Sequence, residues 1–362
     1  MSRIVFILGA GASQQAGAPL MGDFLDVSHD LHRRGEVGDA SSDFEAVFRG
    51  ISELQRVHSK AQLDIQNLES VFGAFEMART LGRCGSLTPD QIDRLAPAMR
   101  RLIVRTLEQT IRLPVRDGQK VMPPAPYPSF ATLVARCRDA RPAQTASVLT
   151  FNYDVSVDQA FQFHGVPIDY ALPSTHSTHE VPLLKLHGSL NWARCTVCHA
   201  VVPWALREYL QRYRWGFPLD VQTVTMPIGT HLREWQHCQQ PVEPEPVLVP
   251  PTWSKTQYHE TLASVWSRAA EELEGAESIF VLGFSLPPTD AFFSYLYALG
   301  CVGGVPLRRF WVFNPDSSGG VEGRFRQLLG PGAAERFQYL TQNFEGGIRT
   351  LAHELSINLG EQ

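Results

Sequence analysis

Apolar residues along this chain fall into two kinds of run. Short continuous runs occur in "RIVFILGAGAS" (Arg3 to Ser13), "ASVLTFNYD" (Ala146 to Asp154), "VPLLKLHGSL", "ESIFVLGFSLPPTD" and "RRFWVFNPD". Each ends in glycine or polar residues, the pattern of a strand buried on both faces. Elsewhere the apolar residues recur with helical period. Leu68, Val71, Phe72 and Phe75 stand at i, i+3, i+4, i+7, and Leu95, Met99, Leu102, Ile103 and Leu107 repeat that spacing. The stretch from about Asp23 to Leu113 is therefore expected to be mostly helical, and "VMPPAPYPSF" reads as a proline-rich connector. Another helix is expected over about Thr256 to Glu274, with Leu262, Val265, Trp266 and Ala269 on one face and Gly275 as its stop. From Cys195 to about Val249 the pattern is irregular, rich in Trp, Pro, His and Arg.

Apolar strands alternating with helices predict an α/β fold, a Rossmann-like doubly wound parallel sheet. The expected organisation is one discontinuous domain of 1–362. Its core is about 1–22, 114–192 and 247–362, with a helical module inserted at 23–113 and a small cysteine-containing, zinc-ribbon-like module at 193–246. In such sheets ligands sit at the carboxyl ends of the strands. Every polar signature of this chain falls at such an end: Gly9–Ser13, Asn152–Asp154, His187–Ser189, Gly283–Ser285 and Asn314–Asp316.

Composition narrows the classes. A length of 362 residues suits one large domain with insertions, or two domains. The formal net charge of −5 gives no electrostatic reason to expect nucleic acid or an anionic membrane as partner. No apolar run approaches the roughly 20 residues of a bilayer span. Arg3 followed by "IVFIL" mimics the start of a signal peptide, but the run breaks at once into glycines. Six cysteines in a chain this long are not a disulfide scaffold, so a cytoplasmic protein is expected.

Each polar signature has a chemical reading and a structural one. In "GAGAS" the Gly9–Gly11 turn lets backbone approach a phosphate, or is simply a tight turn. Position 14 is Gln14, so the dinucleotide fingerprint G-x-G-x-x-G is incomplete, which weighs against a dehydrogenase. In "TFNYD" Asn152 and Asp154 alternate onto one side of the strand end, where they could meet ribose hydroxyls or cap the next helix. His187 in "KLHGS" sits at the ligand edge beside Gly188, placed to act as a general base or to serve the core. Cys195-x-x-Cys198 is half of a structural zinc site, with Cys238 as a third thiolate and His199, His231 or His237 as the fourth ligand. A knot that has lost its metal is the alternative.

Taken together, "GAGAS", "TFNYD", "KLHGS", the cysteine pair, "LGFSL" and "FNPD" follow an order that resembles the sirtuin-like superfamily, over about Ile4 to Asp316. The resemblance implies NAD+ as substrate. Gly9, Ala10, Gly11 and Ser13 would hold the pyrophosphate, and Pro19 and Phe151 would join the cofactor contacts. Asn152 would meet the nicotinamide ribose or a water, Asp154 would lie near the carboxamide, and His187 would be the base. Gly283, Phe284 and Ser285 would line the phosphate and ribose path, with Asn314 and Asp316 at the adenosine ribose. Protein-deacylating sirtuins carry an arginine shortly after the glycine turn, where this chain has "AGAPLMGDF". Their peptide-binding segment is matched here by "PVLVPPTWSK", whose Pro250 and Pro251 cannot donate to a sheet ladder. "FNYD", "KLHGSLNW" and "VPPTW" resemble the bacterial, NAD-hydrolysing branch that serves in anti-phage defence. The expected function is an NAD+ glycohydrolase held inactive by a homo-oligomer or a separate regulatory or trigger protein. A deacylase and a non-catalytic nucleotide sensor are the alternatives.

Overall fold

The computed structural model describes residues 2–56, 63–118, 120–139, 144–173, 180–213, 221–250 and 261–360. Seven strands build its main sheet: β1 (Ser2–Leu8), β2 (Gln144–Thr150), β3 (Ile168–Asp169), β4 (Val181–Lys185), β5 (Ser278–Leu282), β6 (Arg309–Phe313) and β7 (Phe337–Leu340). Their spatial order is β7-β6-β5-β1-β2-β4-β3, and every pair is parallel. This is the expected doubly wound α/β sheet, Rossmann-like in its layers. The chain runs outward from β1 through β2 to β4, then crosses back to place β5 on the other side of β1. That reversal makes the gap between β1 and β5 the topological switch point, where crevices open in such sheets.

Register explains why the polar signatures converge. Leu8 pairs with Leu282 and with Thr150, Thr150 with Lys185, and Leu282 with Phe313. The strands end level, so the residues that follow each one meet along a single edge. Alternation along β1 sends Val5 and Ile7 to one face and Ile4, Phe6 and Leu8 to the other. Helices Ala263–Glu274, Ala291–Gly300 and Gly320–Leu328 cover the first face, and helices Tyr127–Asp139, Ser156–Phe163 and Phe344–Glu354 the second. Both faces are therefore dry, which is why the strands read as continuous apolar runs. The helix expected from Thr256 is described over Ala263–Glu274; residues 251–260, including Pro251, lie outside the described set.

The stretch expected to be helical contains helices Phe24–Arg33, Ser41–Gln55, Leu68–Leu81 and Pro89–Thr110. The irregular stretch after Cys195 is more ordered than its pattern suggests, with a strand Val201–Pro203 that pairs back onto Trp192–Arg194 and a helix at Leu206–Arg212. These two segments share one hydrophobic core. Phe44, Phe72, Phe75 and Met99 pack in the same cluster as Trp204, Tyr209, Ile228 and Leu232. Trp204 and Trp235, part of the Trp content that made the second segment look irregular, help complete this core.

One buried carboxyl ties the two segments together. Glu108, in the helix Pro89–Thr110, accepts bonds from the Thr230 amide at 2.9 Å and the Thr230 hydroxyl at 2.5 Å. Burial pushes its pKa up to about 7, against the opposing pull of the Thr230 bonds and of Arg105. A carboxyl whose folded pKa is raised binds its proton more tightly in the folded state. Its stabilising effect is complete below about pH 4.5 and is lost as pH rises through about 7. Urea titrations should thus show the wild type losing up to about 3 kcal/mol between pH 4.5 and 7.5 from this group. Glu108→Gln should remove that component of the slope.

The switch point supplies a second expectation. A Cβ on Gly9 would lie 2.5 Å from the Phe284 Cα, whereas one on Gly323, in the helix Gly320–Leu328, would meet nothing within 4 Å. Denaturant midpoints should place Gly9→Ala about 2–4 kcal/mol below wild type. Gly323→Ala should come out roughly 0.5–1 kcal/mol above it.

Candidate functional site

The site begins with two turns pressed together. After β1, Gly9 donates to the Leu282 carbonyl at 3.1 Å and Gly11 donates to the Gly283 carbonyl at 2.9 Å. Gly283 adopts φ 66°, and a Cβ there would lie 2.4 Å from the Ala12 nitrogen. The glycines are thus demanded by backbone meeting backbone, and the amides of Gly9 and Gly11 are engaged within the protein. The following residue, Phe284, stacks on Phe151 with centroids 4.2 Å apart and planes 7° apart. Phe293 meets both rings edge-on.

Asn152 and Asp154 do face one side, as alternation along the strand end predicts, but they do different things. The Asn152 amide nitrogen donates to the Gly9 carbonyl at 2.9 Å and to the Ser13 hydroxyl at 3.0 Å. With both amide hydrogens engaged, the carbonyl oxygen is what Asn152 can still offer a ligand. Ser13 in turn donates to Asp154 at 2.6 Å and shares a 2.7 Å bond with Tyr127. The other Asp154 oxygen accepts the Ser156 amide at 2.9 Å, an Asx turn that starts the helix Ser156–Phe163. Asp154 is buried and does not line the cavity described below, so the structure places it behind Ser13, away from where the resemblance put it.

His187 follows β4. Two residues before it, the fully buried Lys185 is held by Asp158 at 2.8 Å and by the Asp154 carbonyl at 2.6 Å, while Tyr170 donates to the same Asp158. The backbone around His187 is also tied: Trp266 donates to the Leu186 carbonyl, and Val249 to the His187 carbonyl. Gly188 has φ 81°, and a Cβ there would lie 2.0 Å from the Val247 carbonyl oxygen. The histidine ring lies edge-on to Phe151 at 5.1 Å and stacks with Tyr153 at 6.1 Å. Its Nε2 is 3.6 Å from Oδ1 of Asp290.

These groups open into one cavity of about 460 Å³ at the carboxyl edge of the sheet. Of the residues singled out from sequence, Ala10, Gly11, Phe151, Asn152, His187, Gly283, Phe284, Ser285, Asn314 and Asp316 line it. Gly9, Ser13, Pro19 and Asp154 stand outside the lining. Asp316 is also a helix cap: its carboxylate accepts the Ser318 and Val321 amides. The Ser318 hydroxyl, with those amides, holds its pKa below the ordinary value. Glu69, Asp290 and Arg324 line the cavity as well, and no motif pointed to them. Glu69 comes from the helix Leu68–Leu81, so the inserted helices contribute a carboxylate to the site. Arg324 donates to the Ser285 carbonyl at 3.0 Å and is the single Arg or Lys among the described lining residues. A cue for Asp290 lay in "LPPTD", a turn sequence opening a helix; Arg324 carried no local signal.

The cysteines converge elsewhere. Ligand atoms of Cys195, Cys198, His237 and Cys238 all lie within 4.8 Å of one another. Tetrahedral zinc with Zn–S near 2.3 Å asks for sulfurs about 3.8 Å apart, and a three-thiolate, one-imidazole set is a familiar structural ligand set. Of the three candidate histidines, His237 is the one that joins the cluster, while His231 is engaged by the Tyr209 hydroxyl at 2.9 Å. The Cys198 and Val197 amides point at the Cys195 sulfur, and such donors pull its pKa down to about 6. The donor set fits a structural zinc with no open position.

Comparison with known proteins adds a loose likeness. No family model and no curated protein matches the chain. Among solved structures it is similar to a Sir2 enzyme studied for mechanism and regulation, at 13% identity over 98% of this chain and 93% of that one, TM-score 0.43. A Sir2 homologue mutant in complex with ADP ribose gives 15% identity, 99% and 95% coverage, and TM-score 0.41. Sir2 with a peptide and NAD+ gives 13%, 98%, 94% and 0.41. Among the described residues no helix is long and apolar enough to cross a membrane.

Elemental analysis of the purified protein should find about one zinc per chain, and Cys195→Ser or Cys238→Ser should abolish it. Because the four ligands close the segment that completes the helical core, metal removal should lower the melting temperature by several degrees.

Proposed function

We propose that the chain is an NAD+ glycohydrolase, cleaving the nicotinamide–ribose bond to give nicotinamide and ADP-ribose. The observation that carries the proposal is the convergence of Asn152 and His187 in one cavity at the switch point of the sheet, which Arg324 also lines. The motif order, with its resemblance to NAD-hydrolysing sirtuin-like proteins, supports the same substrate. In this reading the pyrophosphate lies against Gly11 and faces Arg324, and the adenosine ribose lies near Asn314 and Asp316. The nicotinamide end reaches the Phe151, Tyr153 and His187 wall.

Cleavage develops positive charge on the ribose, as in other glycoside hydrolysis. Nicotinamide leaves with its own positive charge neutralised and needs no general acid. The protein's task is to exclude bulk water, hold the ribose and take a proton from one water. The aromatic wall excludes solvent, the Asn152 carbonyl oxygen can accept from a ribose hydroxyl or the water, and His187 accepts the proton. Glu69 and Asp290 place negative charge around the developing cation. We assign the enzyme, by its motifs, to the restrained NAD-consuming effectors of bacterial anti-phage defence, gated by self-assembly or by a separate protein.

Deacylation has one observation on its side. A second cavity of about 610 Å³ is lined in part by Pro246–Val249, the start of the "PVLVPPTWSK" stretch that the resemblance matches to the sirtuin peptide-binding segment. One assay separates the readings. Nicotinamide release should proceed without any acyl-lysine peptide. His187→Ala should slow it about a hundredfold or more and Asn152→Ala similarly, with melting temperatures kept within a few degrees. Release only when acyl peptide is added would favour the deacylase, and tight NAD+ binding without cleavage under every condition would favour a sensor.

A further inference from the structure

Asp290 stands beside His187 in the cavity at the carboxyl edge of the sheet. It stands at the N-cap of the helix Ala291–Gly300, where an aspartate ordinarily accepts a first-turn amide, yet its side chain makes no cap hydrogen bond. Its carboxylate faces His187, with Oδ1 3.6 Å from Nε2 and both side chains more than nine-tenths buried. The two residues belong to different strand ends, so only the folded sheet brings them together. A buried carboxylate is costly unless paired, and His187 is a cationisable partner. Separations of this kind in an unliganded site shorten when substrate fills it.

We propose that Asp290 is the positioning residue of His187. It holds the neutral ring with its proton on Nε2, which leaves Nδ1 as the proton acceptor, and it stabilises the imidazolium that forms. The role in catalysis rests on the glycohydrolase reading; the pairing itself does not. In that reaction the nicotinamide–ribose bond breaks with its electron pair passing to the ring nitrogen. Water forms the new bond to the same ribose carbon and gives its proton to Nδ1 of His187. The proton later leaves to solvent, so NAD+ and water yield nicotinamide, ADP-ribose and one proton.

Among the described residues, other groups also stand near the ring. Phe151 does not titrate, and burial holds the Tyr153 phenol well above its ordinary pKa. Glu69 is the second acid on this side of the cavity, sensed by Tyr153 alongside Asp290. Asp316 and Arg324 line the cavity too, held by the helix Gly320–Leu328 and by the Ser285 carbonyl.

Nitrogen-15 NMR of the imidazoles, with His187→Gln to assign the signal, tests the pairing without reference to activity. Wild type should show the Nε2–H tautomer of His187. In Asp290→Asn its titration midpoint should fall by about one pH unit, a larger change than Glu69→Gln produces. In the nicotinamide-release assay, Asp290→Asn should lower kcat roughly ten- to a hundredfold. The KM for NAD+ should stay within about threefold, and the acidic limb of the pH profile should move downward. Asp290→Glu should restore part of the rate. An unchanged His187 titration in folded Asp290→Asn overturns the proposal, whatever the activity. If that variant does not fold, a dominant Nδ1–H tautomer in wild type overturns it and a dominant Nε2–H tautomer upholds it. A shifted titration in a protein that never releases nicotinamide upholds the pairing and overturns the hydrolase reading.

Discussion

The constraint on which the cavity depends is the contact between the turn after β1 and the turn after β5. Backbone lies on backbone there, with Gly9 and Gly11 bonded to the Leu282 and Gly283 carbonyls and no room for a Cβ on either side. The contact closes the switch point and fixes three things at once. It sets the Gly9 carbonyl that Asn152 grips, it presents Phe284 to Phe151, and it directs the chain after β5 toward Asp290 and His187. A side chain on any of these glycines would separate the turns and misalign groups drawn from three different strand ends.

Around that contact the polar residues sort into sealed and open sets. Ser13, Tyr127 and Asp154 bond to one another behind the cavity, and Lys185 bonds to Asp158 under the end of β4. Buried charge of this kind contributes little net stability, but removing one partner costs several kcal/mol, so it pins geometry. What it pins is the backbone from which Asn152 and His187 project. The residues that line the cavity, among them Asn152, His187, Asp290, Glu69 and Arg324, are thereby held on a fixed backbone.

The inserted helices matter to the site as well as to stability. They share a core with the cysteine-bearing segment, and Glu69 reaches the cavity from one of them. Glu108 and Thr230 join the same two segments through a buried carboxyl whose pKa burial raises to about 7. Movement of that unit would be felt in the cavity wall, because the helix that carries Glu69 packs within the same cluster.

Local chemistry alone determined much of this protein. Continuous apolar runs announced strands buried on both faces, and helical spacing announced Leu68–Leu81 and Pro89–Thr110. The polar ends of the runs marked the cavity edge, since strands in a parallel sheet all point the same way and end level. Three candidate metal ligands were legible from their residue type, and the fourth was left among three histidines. Only the tertiary structure chose His237, because that choice depends on how a hairpin folds back over Cys195. It also turned Asp154 away from the cavity and brought in Asp290, Glu69 and Arg324. Those positions depend on which side of β1 the later strands pair and on what the inserted helices pack against. Those are long-range contacts, and periodicity and motif spacing, being local, carry no record of them.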